Sequence, residues 1–417
     1  MAHDRSARGP ARALRAAAAA ASVAVSVAAC AVVAPPRVPP PSALYEQAQP
    51  LAAPGVRIWG DDLDPTRAAE ISASLRAGLV AEWRAAGAPP DGAALDVLAL
   101  SGGGPDGAYA AGLLTGLTLA GERPDFDIVT GISVGALIAP FAFAGPDHDD
   151  ELETMFTRFD TDDIAELQIF AVLQGALGVA DTQPMRNQIR SLVDERLLAR
   201  IAARHAAGKL LLVGTTNIDA ARPVIWNMGA IAQAGATELF RQVMLASASI
   251  PGAFPPVAIP VIAGGETFTE LHVDGGVTRS VFVGPPGFAD AAPRNLPFPL
   301  RRTIYVIQNN SLTPNYDPAP ARLATIAGRS LSALIRAQSE GDLARIAQGA
   351  DAMGAEFRLA FVPPGFTPPS PTSFDRAYMT GLFNAAQEAA GGGGFGWLHA
   401  PPGLVARSRL ILELSKL

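Results

Sequence analysis

The sequence predicts an α/β fold with layered helices and a mainly parallel central sheet. Two short apolar runs, 95–100 and 127–130, have the pattern of buried strands. Each run is followed by a glycine-containing turn and then by a segment that can form a helix. Strands and helices that alternate in this way pack as helices against a parallel sheet.

The other predicted elements extend this alternation. The first helix is predicted to begin at Asp64 and Pro65, residue types that favour the N-cap and the first helical turn. Further helices are predicted at 109–120, from Val134 onward and at 185–204, and further strands at 209–215 and 302–308. Because no clean linker interrupts residues 58–417, this region is predicted to form one domain.

The composition of the 417-residue chain restricts its function. Apolar residues make up 49% of the chain, which suffices for a large core, and the net charge of -7 does not indicate a nucleic-acid binder. The five histidines and the single cysteine form no cluster with metal-ligand spacing. We therefore predict no metal, no other cofactor and no nucleic-acid partner.

The N-terminus has the layout of an export signal. Arginines up to Arg15 precede an uncharged run at 16–29 that is too short to span a bilayer comfortably. The only cysteine, Cys30, ends this run in the sequence VAAC, which resembles the lipobox of bacterial lipoproteins. The resemblance implies a signal peptide at 1–29, acylation of Cys30 and anchoring to a membrane. An ordinary secretory signal beside an incidental cysteine is the alternative.

The residues that follow Cys30 refine this prediction. Ala31, rather than aspartate, occupies the next position, which implies sorting to the outer membrane in a Gram-negative host. Residues 30–57 are rich in proline and alanine, and we predict an extended tether there.

The pattern G-x-S-x-G occurs at 131–135, between a predicted strand and a predicted helix. In this setting a serine lies on a tight turn with its hydroxyl exposed at the sheet edge. Gly131 and Gly135 would permit close backbone approach, and the N–H of Val134 could stabilise an oxyanion. Ser133 is thus a candidate nucleophile, although a plain glycine-rich turn has the same pattern.

Two more segments could complete a site. After the first strand come Gly102, Gly103 and Gly104, whose N–H groups could form an oxyanion hole, and then Gly107. The segment lacks the lysine of a phosphate-binding P-loop and the spacing of a dinucleotide fingerprint. A packed strand–helix turn remains the alternative.

The third segment is His-Val-Asp-Gly-Gly at 272–276. Asp274 could face the serine and act as its general base, with Gly275 and Gly276 forming the turn, although Asp-Gly is also a common turn sequence.

Together these segments resemble the patatin-like phospholipase family. Its marks are a glycine-rich loop, a G-x-S-x-G turn and an acidic D-G-G/A motif, in that order. A fourth segment, ASASIPGAFPP at 246–256, is similar to the family's proline-bearing block. The resemblance implies a three-layer α/β/α sandwich, a Ser133–Asp274 dyad without a catalytic histidine, and hydrolysis of lipid acyl esters. Asp106 departs from the basic residue that many relatives carry in the glycine loop.

Two alternatives remain open at this stage. A Ser-His-Asp esterase or acyltransferase would need one of the histidines, of which His272 and His399 are the candidates. A non-catalytic lipid-binding lipoprotein would keep the fold without turnover. Residues 147–183, acidic and then apolar, could form a lid or an ordinary helical insertion.

Overall fold

The protein was analysed as a computed structural model that describes residues 37–160, 166–167, 180–288, 293, 295–312, 318, 320, 323–366 and 374–402. The predicted signal at 1–29, the predicted lipidation site Cys30 and the centre of the possible lid lie outside the described residues.

Twelve strands are described. They are β1 (Gln49–Pro50), β2 (Arg57–Trp59), β3 (Ala93–Leu100), β4 (Ile128–Ile132), β5 (Glu166–Leu167), β6 (Ala180–Asp181), β7 (Leu210–Asn217), β8 (Arg222–Asn227), β9 (Val257–Ala263), β10 (Glu266–Asp274), β11 (Leu300–Gln308) and β12 (Glu356–Phe361). Strands β5 and β6 form a separate pair, and the other ten form one sheet.

Ten α-helices are described alongside them. They are α1 (Pro65–Ala85), α2 (Gly107–Leu119), α3 (Val134–Ala144), α4 (Asp149–Thr157), α5 (Gln183–Leu192), α6 (Glu195–Ala206), α7 (Met228–Gln233), α8 (Thr237–Ser247), α9 (Leu323–Ala352) and α10 (Arg376–Gly391). No helix in the described ranges is long and apolar enough to cross a membrane.

The centre of the large sheet is parallel. Strands β12, β11, β3, β4 and β7 pair in that order and all run in the same direction. Strands β8, β10, β9, β1 and β2 extend the sheet by antiparallel pairing. The predicted α/β class with a mainly parallel centre is confirmed.

Helices cover both faces of this sheet. Along β3, Leu98 and Leu100 point into one core and Val97 and Ala99 into the other, as the two-residue period of a strand requires. The first core contains α2, α3, α8 and α10, and the second contains α1 and α9. The resulting arrangement has three layers, helix, sheet and helix.

One edge of β7 is shared by two strands. Residues 210–214 of β7 pair with β4, and residues 215–217 pair with β10, which runs in the opposite direction. Because β8 pairs with residues 212–217 of β7, β4 and β10 must both lie on the other edge. The end of β4 therefore meets the end of β10.

The structure differs from the predicted tether over residues 37–57. There β1 pairs with β9, Ala48 is buried, and the buried Arg57 forms an ion pair with the buried Glu270 of β10. Arg57 also donates to the carbonyl oxygen of Ala48. Proline and alanine content alone did not reveal that this segment packs against a sheet edge.

The helix predicted at 185–204 is two helices, α5 and α6. The break falls at Asp194, whose carboxylate accepts a hydrogen bond of 2.8 Å from the N–H of Leu197 and thereby caps α6. Both helices bury one apolar face, so the amphipathic period continues across the break and conceals it in the sequence.

We predict that replacing Arg57 by methionine destabilises the protein. The change leaves Glu270 buried with its main cationic partner removed, which costs on the order of 3–5 kcal/mol. Chemical denaturation followed by circular dichroism measures the loss. The control is Arg67→Met, which removes an exposed pair with Glu70 and should change the free energy of unfolding by less than about 1 kcal/mol. Equal effects of the two substitutions would contradict the structural role assigned to Arg57.

Candidate active site

Ser133 occupies a strained turn between β4 and α3. Its backbone angles are φ 55° and ψ -125°, and a positive φ is uncommon for a residue with a side chain. A Cβ atom on Gly131 would lie 2.4 Å from the carbonyl oxygen of Gly135, and one on Gly135 would lie 2.5 Å from that of Leu100. The two glycines are thus required by contact, and the serine is held where a nucleophile elbow places it.

Ser247, at the end of α8, holds this turn from the side. Its hydroxyl accepts a hydrogen bond of 3.0 Å from the N–H of Ser133 and donates one of 2.7 Å to the carbonyl oxygen of Gly214. The sequence placed Ser247 in the proline-bearing segment but gave it no role. Only its position in that segment could have pointed to a role for Ser247.

Asp274 is the last residue of β10 and pairs with Thr215 of β7. Since Ile132 pairs with Gly214, Ser133 and Asp274 follow each other along the same edge of β7. The structure therefore brings together the two residues that the sequence predicted as a dyad.

The Asp274 carboxyl group is buried and only half satisfied. Its Oδ1 atom accepts a hydrogen bond of 2.7 Å from the N–H of Gly276, whereas Oδ2 has no well-formed hydrogen bond within the described residues. Burial raises the pKa of Asp274 to about 6, and the nearby Ser133 hydroxyl and the Gly276 N–H act in the opposite direction. The serine hydroxyl is thus close enough to the carboxyl group to lower its pKa.

The glycine loop supplies fewer donors than predicted. The N–H of Gly102 donates a hydrogen bond of 3.1 Å to the carbonyl oxygen of Ser280, so Gly102 cannot serve as an oxyanion donor in this conformation. For the N–H groups of Gly103, Gly104 and Val134, no hydrogen-bond acceptor is found among the described residues. These three remain the predicted donors.

Two asparagines after β11 fix the glycine loop. Asn309 donates from its side chain to the carbonyl oxygen of Ser101, over 2.9 Å, and Asn310 donates to that of Gly102, over 3.0 Å. A Cβ atom on Gly103 would lie 1.9 Å from the carbonyl oxygen of Asn309, so this position admits only glycine. The sequence gave no signal for this clamp, because the partners are about two hundred residues apart.

The remaining motif glycines serve close packing. A Cβ atom on Gly107 would lie 2.3 Å from Cγ2 of Val134, and one on Gly275 would lie 2.5 Å from the carbonyl oxygen of Gly214. A Cβ atom on Gly276 would lie 3.0 Å from Oδ1 of Asp274. These contacts bring the three motifs together.

Asp106, at the start of α2, is tied to the C-terminal helix. Its carboxylate accepts a hydrogen bond of 2.6 Å from the hydroxyl of Tyr378 on α10. Burial raises the pKa of Asp106 to about 6, and the Tyr378 hydroxyl opposes that rise. The acidic residue that departs from the family pattern therefore binds a neighbouring helix.

An apolar cavity opens beside Ser133. The space inside it that the centre of a water-sized molecule can occupy is about 70 Å³. Ser133 and Gly104 form part of its lining. Gln188 has the one other polar side chain among the described lining residues, and the rest, such as Leu137, Phe141 and Met244, are apolar. Such a cavity suits an aliphatic chain.

The histidines that the structure describes have other partners. His272 is buried, with Nδ1 3.0 Å from the hydroxyl of Thr215 and Nε2 3.2 Å from a carboxylate oxygen of Glu270. Burial lowers the pKa of His272, which favours the neutral ring. His399 lies 3.6 Å from Glu356, and none of the described histidines bonds to Ser133 or Asp274.

The comparisons with known proteins bear on this geometry. Residues 98–285 match the family model described as patatin-like phospholipase. Residues 98–285 thus form a patatin-like phospholipase domain. The match contains the glycine loop, the Ser133 turn and the Asp274 motif, and it supports lipid acyl-ester hydrolase activity. No curated protein matches the chain significantly.

Three solved structures are similar to parts of the patatin-like chain. VipD from Legionella pneumophila is 12% identical with a TM-score of 0.33, covering 72% of this chain and 67% of VipD. Human GIVD cytosolic phospholipase A2 is 10% identical with a TM-score of 0.31, and the match covers 74% of this chain and 55% of the phospholipase. The type III effector protein ExoU is 15% identical with a TM-score of 0.22, and the match covers 73% of this chain and 53% of ExoU. The matches span about half the length of the last two proteins.

We predict that Asp274→Asn makes the patatin-like protein more stable at pH 8. The folded-state pKa of Asp274, about 6, lies above its ordinary value of 3.8, so the folded state loses stability as the pH rises from about 4 to 6. Asparagine avoids the buried charge, and the gain above pH 6 is on the order of 1–3 kcal/mol. Urea unfolding at pH 8 and pH 4.5 measures this difference.

The control for this measurement is Asp62→Asn, at an exposed aspartate, which should shift stability by less than about 0.5 kcal/mol at both pH values. An Asp274→Asn protein that is destabilised equally at both pH values would show that the buried charge is not what limits stability.

Proposed function

We propose that the chain is a phospholipase A- or lysophospholipase-like enzyme that works through a Ser133–Asp274 dyad and an acyl-enzyme. The observation that carries this proposal is the end-to-end meeting of β4 and β10. It places a serine with positive φ beside a buried carboxyl group that keeps one oxygen without a well-formed hydrogen bond.

The proposed reaction has two halves. Asp274 accepts the proton of Ser133 as its Oγ atom attacks the ester carbonyl, and the N–H groups of Gly103, Gly104 and Val134 bind the oxyanion. The C–O bond to the alcohol then breaks, and the alcohol leaves with the proton from Asp274. In the second half, water gives a proton to Asp274, attacks the acyl-enzyme and releases the fatty acid, and the proton returns to Ser133.

The pKa of Asp274 supports its role as a base. A carboxyl group with a pKa of about 6 is ionised at neutral pH, yet it is a stronger base than an ordinary aspartate. The apolar cavity beside Ser133 supports an aliphatic acyl chain as the part of the substrate that is bound.

The positions of the histidines weigh against the triad alternative. Both ring nitrogens of His272 have partners other than the dyad, and the side chain of His399 is mostly exposed. Neither is in a position to take a proton from Ser133 without rearrangement.

We expect Ser133→Ala and Asp274→Asn to abolish hydrolysis of a medium-chain p-nitrophenyl ester and of phosphatidylcholine. Each substitution removes one half of the dyad, so kcat/KM should fall at least about 10³-fold. Initial rates measured spectrophotometrically, and fatty-acid release from the phospholipid, give the result.

The matched controls are His399→Ala and His148→Gln, which should keep wild-type kcat/KM within about twofold because neither residue contacts the dyad. An Asp274→Asn enzyme that stays active, together with a histidine variant that loses activity, would refute the dyad. If the wild type hydrolyses neither substrate, a non-catalytic lipid-binding role is favoured over the proposed phospholipase.

We further propose that the protein is exported and anchored to a membrane through a lipid on Cys30, with sorting to the outer membrane in a Gram-negative host. The uncharged run before Cys30, its VAAC sequence and the residue Ala31 support this proposal.

Expression of the full chain in a Gram-negative host with radiolabelled palmitate tests the anchor. The wild type should incorporate label and fractionate with outer membranes, whereas Cys30→Ser should do neither. Ala31→Asp should keep the label but move the protein to inner membranes. Label that persists in Cys30→Ser would reject Cys30 as the site.

A further inference from the structure

The hairpin formed by β9 and β10 has one uncovered face. Along β9 the buried residues alternate with Ala258, Pro260 and Ile262, which are exposed or half-buried. Opposite them on β10 lie three uncharged residues, Thr267, Thr269 and Leu271. We call these six residues the outer hairpin face. It carries no charged side chain, and the charged Glu270 of β10 points to the buried side.

Three exposed apolar residues lie at the edges of the outer hairpin face. Their exposed fractions are 60% for Val38, 47% for Leu51 and 44% for Ile218. Val38 accepts from the N–H of Thr269, Leu51 donates to Pro260, and Ile218 donates to Leu271, each through backbone atoms 2.8–3.0 Å apart.

These contacts create a continuous surface. Val38, Thr269, Pro260 and Leu51 follow one another across four neighbouring backbone segments, a row about 14 Å wide at the usual strand spacing. Apolar residues scattered singly over a surface are ordinary, but a contiguous uncharged face with apolar edges indicates a docking surface.

The start of the described chain lies at this face. Arg37 binds the carboxylate of Asp219 at 2.6 and 2.5 Å and the carbonyl oxygen of Thr269 at 3.3 Å. Cys30 lies seven residues before Arg37, so a lipid on Cys30 can be at most about 25 Å from this edge. A lipid anchor there would hold the outer hairpin face near the bilayer.

We propose that the outer hairpin face, with Val38, Leu51 and Ile218, docks on a lipid surface. The proposal rests on the proposed lipid hydrolase and on the anchor at Cys30. The six residues of the face carry no charge, and the Arg37–Asp219 pair at its edge is neutral as a pair, so the face enters the interface of a zwitterionic bilayer without burying an unpaired charge. The same strand that contributes Leu271 to this face ends at Asp274, about 10 Å further along the strand.

The test uses the full chain with Cys30→Ser, which removes the lipid anchor. The uncharged run at 16–29 is the same in every variant, so the comparison between variants reports on the face. Flotation with phosphatidylcholine vesicles measures the bound fraction, and a short-chain soluble p-nitrophenyl ester measures catalysis away from the membrane. The docking variant carries Val38→Glu, Leu51→Glu and Ile218→Glu. The matched control carries Leu119→Glu, Leu334→Glu and Leu398→Glu, which are also exposed apolar residues.

We expect the docking variant to lose at least fivefold in vesicle partitioning while its soluble-ester rate stays within twofold, and the control to change in neither. Ile218→Glu alone should give a smaller loss, which guards against misfolding of the triple variant. Unchanged partitioning of a folded docking variant, or no flotation of the parent chain, would overturn the proposal.

Two further outcomes are informative. If the parent chain is a dimer on size-exclusion chromatography, and the docking variant is a monomer that still floats, the face binds a second copy and the proposal is overturned. If partitioning separates the variants as expected but no protein hydrolyses any ester, docking is supported and the proposed enzymatic function fails.

Discussion

The site depends on the single edge of β7 that β4 and β10 share from opposite directions. Strand β4 pairs with residues 210–214 of β7 and must end there, because β10 occupies the same edge from residue 215 onward. The next residue, Ser133, therefore turns sharply into α3. Strand β10 must leave in turn at Asp274, because Gly275 already contacts Gly214 and Ile132. The ends of β4 and β10 cannot overlap on this edge, and this brings the Ser133 hydroxyl beside the Asp274 carboxyl group.

The buried polar side chains of β10 differ in how fully they are hydrogen-bonded. Glu270 has Arg57 and His272 as partners, and the hydroxyl of Thr215 binds His272 while it accepts a hydrogen bond from Trp226. Each residue of that network has at least one hydrogen-bond or ion-pair partner, and the pairing offsets the cost of burying its charges. Four residues further along β10, Asp274 keeps an oxygen without such support. The charged groups of β10 before Asp274 are therefore paired, whereas the buried carboxyl group of Asp274 has no charged partner among the described residues, which is the arrangement expected where stability is given up for chemistry.

Much of this site could be predicted from local sequence. The motif glycines mark positions where backbones approach closely, and the strand–turn–helix order fixed the class of fold. Gly102 shows where such reasoning stops, because its N–H binds Ser280, and no pattern near Gly102 encodes that partner. The clamp by Asn309 and Asn310 and the bond from Tyr378 to Asp106 are equally non-local. Residues 37–57 do not form the predicted tether, because proline and alanine content does not reveal the sheet edge on which this segment packs.

The separation of the dyad in the sequence has a consequence for how the protein becomes active. Ser133 and Asp274 are 141 residues apart, whereas β3, α2 and β4 need only nearby contacts to associate. Closing long loops is slow relative to forming local structure, so helices and the first strands can assemble well before β10 reaches β7. A newly made chain would pass through a compact stage in which the proposed dyad is not yet assembled.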